Sequence, residues 1–408
     1  MLKTYIIKSS YKNMMLFPAI KRDNTPYQYD FKLIGGILIY FYVNMIFILK
    51  YNPLSVSSLW ISLFYLAVVC CIFFLLKKLL KCPKWATILY FTGCAGILIM
   101  NVLLLHFIDY QSVNVDRASG LHNWNDYLLQ GINPYLSQTH MEHNLSVFPV
   151  WAIFHLPFYG LGDVGYSQLF CLILLFVALF LHFKSRSLLY IGLMAMSPAF
   201  WYHCAMRSDL LSNMFLAMIF MILLLRYPLL WQRHKLITAF TIGLLMCTRI
   251  FVIIPLFLFF WPYWLHFSWR DKILFVLLCL TGFIVPFIPF VIWGYEPLIA
   301  SWSLQTTHGS GNAWAAIVCF ILTIYAAFSL KTERQLFFWS SFILFAVTFL
   351  VSIETIINEG LKPFLFENLY DIAYYSACFP FLFYFLSMEK NGYHMPSKVL
   401  IPSWKKPL

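Results

Sequence analysis

The chain has 408 residues, 62% of them hydrophobic and only 11% charged, and carries a formal net charge of +12. A mean hydropathy of +0.77 excludes an ordinary water-soluble domain, and apolar runs that are continuous rather than alternating exclude a membrane β-barrel. What remains is an all-α, polytopic integral membrane protein.

In chain order, residues 1–32 hold six Lys/Arg and no apolar core, which reads as a cytosolic basic segment and not as a cleavable signal. Uncharged runs of the length that a membrane helix needs, about 20 residues, follow at 33–49, 54–76, 85–108, 164–183, 188–206, 210–225, 273–293, 312–330, 336–353 and 372–388. The segment 236–264 is also apolar, but Arg249 and Pro255 stand in its middle. Together these runs predict about 11–13 transmembrane helices. A basic tail, 389–408, closes the chain.

Charge gives the sidedness. With a cytosolic N-terminus, a non-crossing 146–162 and a hairpin at 236–264, 23 of the 28 Lys/Arg fall on inner segments and 11 of the 16 Asp/Glu on outer ones. Such a bias is what positive-inside insertion produces, so topology accounts for the net charge and nothing calls for a nucleic-acid partner. A rival arrangement, in which 146–162 crosses and 236–264 crosses once, flips the segments between them. The ten cysteines have neither disulfide-framework nor metal-ligand spacing and read as small core residues.

One polar stretch interrupts the apolar pattern. Residues 109–144 carry Asp109, Asp116, Asp126 and Glu142 together with His122, His140 and His143. Between Asp116 and Gln130, Leu121, Trp124, Leu128 and Leu129 recur at roughly helical spacing, which predicts a short amphipathic helix at the membrane surface. Gly131 and Asn133-Pro134 should end it. Asp116 then stands at the helix start, where the dipole favours its charge and where a plain N-cap is the alternative role.

An Asp after a transmembrane helix, then a short helix, then Leu128-Leu129-Gln130-Gly131-Ile132-Asn133-Pro134-Tyr135, resembles the first extracytoplasmic loop of GT-C glycosyltransferases. The resemblance continues through Phe148-Pro149, Leu156-Pro157, Ser197-Pro198 with Arg207-Ser208-Asp209, and Gly243 through Arg249 to Pro255. It covers about residues 85–300 and is nearest to bacterial polyprenyl-phosphate-sugar-dependent, mannosyltransferase-like enzymes. Two features depart from the family pattern: two extra helices within 33–84, and no Asp-x-Asp or Asp-Glu pair at the loop entrance. The resemblance implies a GT-C-like domain over 85–388 with its catalytic loop at 109–146. It further implies an inverting transfer of mannose or a related sugar from a polyprenyl-phosphate donor to a lipid-linked or polysaccharide acceptor, at the outer face of a bacterial cytoplasmic membrane.

Such a transfer needs a base for the acceptor hydroxyl and positive charge at the leaving phosphate. By motif position the base is Asp116, with Asp126 and Asp209 as further catalytic candidates and Asp109 as a weaker one. Arg117, Tyr135, Arg207, Arg249 and His308 are the candidate substrate-binding residues. Arg249 is a charge inside an apolar span, which is costly and points to function unless it is structurally paired. His308 lies in a glycine-rich loop that either approaches the donor phosphate or simply turns. Arg207 and Asp209 either line a cavity or pair with one another. No cofactor is expected; His140 and His143 flank Glu142, but a third ligand for a divalent cation is not evident.

Other classes fit less well. A polysaccharide polymerase or ligase would place its main outer loop late in the chain. A transporter would keep ionisable groups near mid-membrane on duplicated halves, and a scaffold leaves the acidic loop unexplained. The sidedness is directly testable. Cysteines introduced at 118–140 should react with an impermeant reagent on intact cells, and cysteines at 390–406 should not; a loop labelled only after permeabilisation would overturn the assignment.

Overall fold

The computed structural model describes residues 30–52, 57–300, 313–366 and 371–388. Both terminal basic segments beyond these limits, and His308, lie outside the described residues.

The described chain is helical. Its helices are α1 (Phe31–Tyr51), α2 (Ser58–Leu79), α3 (Pro83–Phe107), α4 (Arg117–Leu129), α5 (Pro149–Gly160), α6 (Tyr166–Phe183), α7 (Ser187–Ala195), α8 (Pro198–Ala205), α9 (Asp209–Arg226), α10 (Lys235–Met246), α11 (Ile253–Leu265), α12 (Trp269–Ile284), α13 (Ala313–Ser329), α14 (Glu333–Glu359) and α15 (Phe379–Ser387), with short helical turns between several of them. Among the described residues, seven helical stretches are long and apolar enough to cross a membrane. The chain is therefore an all-α, multi-pass protein. Four further apolar helices among the described residues are shorter, at 10–17 residues. Residues 372–378 wind as a 3-10 turn before α15, and the run at 312–330 yields a 17-residue helix.

The run at 188–206 is broken rather than continuous. Pro198 cannot donate a backbone bond, so α7 stops and α8 restarts after Ser197. Asn44 of α1 repairs the break, accepting from the Ser197 hydroxyl at 2.6 Å and from the Ala199 N–H at 3.3 Å. Without water in a bilayer, freed backbone groups need this kind of internal partner.

Named contacts orient the bundle. At one end Arg334 of α14 pairs with Asp30, Lys235 pairs with Asp271 at 3.2 Å, and Glu333 accepts from His182 and Tyr384. At the opposite end stand Asp116, Arg117, Arg207, Asp209 and Arg249. Segment 236–264 runs between the two ends and back. Arg249 at its tip bonds Asp209, while Phe260 and Tyr263 of α11 return to pack on Trp231, with ring centroids 5.5 and 4.8 Å apart. It is a hairpin. Helix α5 has 12 residues and is roughly 18 Å long at about 1.5 Å per residue.

Two apolar cores result. The larger fills the bundle. The smaller lies at the Asp116 end, where Leu121 and Trp124 of α4, Trp151 of α5, and Phe287 and Phe290 after α12 pack together. It docks the loop helix onto the bundle. The helix expected after Asp116 forms as α4, but Leu129 is 62% exposed, because the 121–124–125–128 stripe faces the core instead. Gly131, at φ 73°, closes the helix: its N–H reaches the Leu128 carbonyl and that of Ile132 reaches Tyr127.

The tightest helix contact is between α10 and α12. A Cβ on Gly243 would stand 2.1 Å from the Cys279 carbonyl oxygen, and one on Gly282 would stand 2.3 Å from that of Phe240. Small residues let backbones meet where lipid supplies no hydrophobic drive. Gly243→Ala should therefore cost about 1–3 kcal/mol or more and lower the melting temperature in detergent. Gly96→Ala, where nothing lies within 4 Å of the added methyl, should melt like the parent. Equal melting of the two variants would refute the close contact.

Candidate functional site

The polar residues of the loop meet those of α9 and the hairpin tip in one cleft. Asp116, Arg117, Asp209 and Arg249 all line it. Four of the candidate residues, from three separated segments, are thus brought together.

Asp209 opens α9 and is only 3% exposed. Arg249 donates from Nη2 to both of its carboxylate oxygens, at 2.8 and 2.7 Å, and Trp151 Nε1 donates to Oδ2 at 2.7 Å. The local sequence explains the geometry. Thr248 and Arg249 sit between α10 and α11, where Arg249 is extended (φ −155°, ψ 138°) and can project from the hairpin tip. Arg249 therefore has a buried acidic partner, and Asp209 is a counter-ion whose oxygens are already engaged. Beneath Trp151, burial pushes the His155 imidazole down to about 4. It is neutral and donates from Nδ1 to the Trp151 carbonyl at 2.7 Å.

Arg117 donates to the Ser208 hydroxyl at 2.9 Å, pairs with Asp371, and stacks 4.9 Å above the Tyr374 ring centre. Burial by itself would loosen its proton, but Asp371, with Tyr374 and Asp209, raises its pKa above the ordinary value. For Asp371 burial acts to raise the pKa, and it is outweighed by Arg117 and the Ala373 N–H, which hold it below the ordinary carboxylate value. A carboxyl lowered in this way stabilises the fold at neutral pH, and that contribution fades as pH falls through its folded value.

Asp116 caps α4 by position but not by chemistry, for its side chain accepts no helix N–H. Instead Oδ2 accepts from the Thr139 hydroxyl at 3.3 Å and contacts His143 Nδ1 at 2.8 Å. Among the described residues Oδ1 has no partner. Of the acids proposed for catalysis, this is the one in the cleft with an unoccupied oxygen.

Three candidates stand elsewhere. Both oxygens of Asp126 are taken, by Tyr159 and Gln130 at 2.8 Å each. Tyr135 is buried against Trp124 and Phe290 and donates to the Val147 carbonyl. Arg207 does not pair with Asp209. It binds Asp163 at 2.9 Å and closes the end of α3 through the carbonyls of Leu105 and Ile108, at 2.6 and 2.7 Å. His140 and His143 diverge, one to Ser119 and the Val113 carbonyl, the other to Asp116. Among the described residues, no group of three or more His, Cys, Asp or Glu is placed to hold a metal ion.

Sequence reading missed Asp371, Trp151 and Asp163. Asp371 follows a stretch without a motif, and Trp151 was masked by the 20% aromatic content of the chain. Asp163, between Gly162 and Gly165, had a turn signal but no visible partner. No protein-family model, curated protein or solved structure matches this chain.

The buried pair makes a clear forecast. Arg249→Met would leave Asp209 unpaired, and removing one partner of a buried ion pair costs about 3–5 kcal/mol; Arg249→Lys should lose less. Melting of the purified variants in detergent measures this, and a Met variant as stable as the parent would remove Arg249 from the fold's support.

Proposed function

We propose that the chain is an integral-membrane glycosyltransferase of the GT-C type. It moves a sugar from a polyprenyl-phosphate donor to a hydroxyl of a lipid-linked or polysaccharide acceptor, on the outer side of a cytoplasmic membrane. The observation that carries this reading is that Asp116, whose Oδ1 has no partner among the described residues, shares one cleft with a wall that carries Arg117 and Arg249.

That wall suits a phosphate. Arg117 and Arg249 supply guanidinium groups, and the N-termini of α4, α5 and α9, marked by Arg117, Phe148 and Asp209, all reach the cleft. Helix N-termini and guanidinium groups both favour an anion, and they stabilise the charge that builds on a departing phosphate. Asp209 and Trp151 hold Arg249 in place, so the cation needs little reorganisation when a donor docks.

The chemistry follows from the two walls. Asp116 Oδ1 takes the proton of the acceptor hydroxyl as that oxygen bonds to the sugar's anomeric carbon. The bond from that carbon to the phosphate oxygen breaks, and its electron pair leaves with the phosphate toward Arg249 and Arg117. Attack opposite the leaving group inverts the anomeric centre. His143 and Thr139 both engage Oδ2 and leave Oδ1 for the acceptor.

Asp116→Asn should insert and melt like the parent yet lose most transfer, since a general base contributes about 10²–10⁴-fold. Transfer of radiolabelled mannose from polyprenyl-phosphate mannose, by protein reconstituted in liposomes, reads the effect. A variant that keeps near-parental transfer would end the assignment of Asp116 as base.

A further inference from the structure

The cleft has a second wall that the leaving phosphate does not use. It is formed by the turn 138–146, which contributes Thr139, Asn144 and Ser146. It carries no Lys or Arg, and His143 on it contacts Asp116.

The turn is held in shape from within and from behind. The Thr139 N–H donates to the His143 carbonyl at 2.9 Å, and the Thr139 carbonyl accepts from Glu142 N–H at 3.0 Å. Thr139 Oγ1 accepts from the His143 N–H at 3.2 Å, Glu142 adopts φ 62°, and Gln138 bridges to Asn144. From α4, Asn123 donates to the Gln138 carbonyl at 2.7 Å, and Ser119 contacts both His140 N and Nδ1. Asn144 itself is exposed, lines the cleft, and makes no side-chain hydrogen bond among the described residues.

An unengaged amide on a rigid support is a ready recognition group. It offers a donor and an acceptor together, which is the pattern a sugar hydroxyl also presents. An anion would meet only one useful half of that amide and would face the Asp116 carboxylate. The wall therefore selects a neutral, polyhydroxylated ligand, and preorganisation lowers the cost of binding it.

We infer that the 138–146 turn is the acceptor subsite and that Asn144 is its specificity-determining residue, binding a neutral glycosyl unit and presenting one hydroxyl to Asp116. The inference rests on the glycosyltransferase reading for the direction of transfer but not for the existence of the sugar site.

The test uses full-length protein in nanodiscs, polyprenyl-phosphate mannose as donor, and a panel of methyl glycosides as acceptors. Water, which competes as acceptor, gives free mannose. In Asn144→Ala the ratio of transfer to hydrolysis should fall roughly 3- to 10-fold, the loss of one neutral hydrogen bond. The substituted side chain is exposed, so melting should not change. A ratio equal to the parent's would overturn the assignment. Saturation-transfer NMR of methyl α-mannoside on the donor-free protein separates the two claims. Sugar binding weakened by Asn144→Ala, with no turnover by the parent, would keep the subsite and sink the transfer reading. Turnover with sugar binding indifferent to Asn144 would do the reverse, and a parent that neither turns over nor binds would remove both.

Discussion

Asp209 and Arg249 are the contact on which the site end of the bundle rests. A carboxylate that is 3% exposed at the start of a membrane helix is tolerable only if an opposite charge and further donors reach it. Arg249 supplies the charge from a hairpin tip, and Trp151 supplies a further hydrogen bond from the helix that follows the loop. Three segments far apart in the chain are thereby tied at one carboxylate. The helix N-termini around the cleft and the docking of α4 both depend on that tie.

The same contact settles an ambiguity of charge. An arginine in an apolar span reads equally as a ligand-binding group or as half of a structural pair. Here it is paired, and the pair faces the cleft, so the two roles are not exclusive. Asp209 fixes where Arg249 points and limits how far a bound anion could draw it away. Arg117, held by Asp371 and Ser208, is constrained in the same manner from the C-terminal side. Both cations of the cleft are thus restrained by acids of the chain itself.

Much of this was legible in the residues and some was not. Apolar runs located the helices because a bilayer imposes length and continuity, yet they did not show where a run breaks into shorter pieces. Whether a run breaks depends on partners such as Asn44, which sits 153 residues before Ser197. The loop helix and its glycine stop were legible because they follow from local spacing and capping. Asp116 was legible from its place in the loop, but that its side chain ignores the helix and turns to His143 was not. Arg207 shows the limit most plainly. Its neighbour Asp209 suggested a local pair, whereas a backbone in the left-handed region, φ 47°, turns it toward Asp163 and the end of α3. Pairings such as Arg117 with Asp371, 254 residues apart, are properties of the packed chain alone.

The glycine contact between α10 and α12 carries a consequence for how this protein can change. Most overpacked interfaces can be relieved by shrinking the residue opposite. Gly243 and Gly282 already lack side chains, and the atoms that an added methyl would strike are carbonyl oxygens of the backbone. Neither position has a smaller partner to retreat to. Gly243 lies six residues before Arg249, and Gly282 lies five before Phe287, so the two helices carry a lining residue of the cleft and a residue of the loop's core on one stiff support. Drift at this crossing has no local suppressor and would be felt in the cleft, although neither glycine touches it.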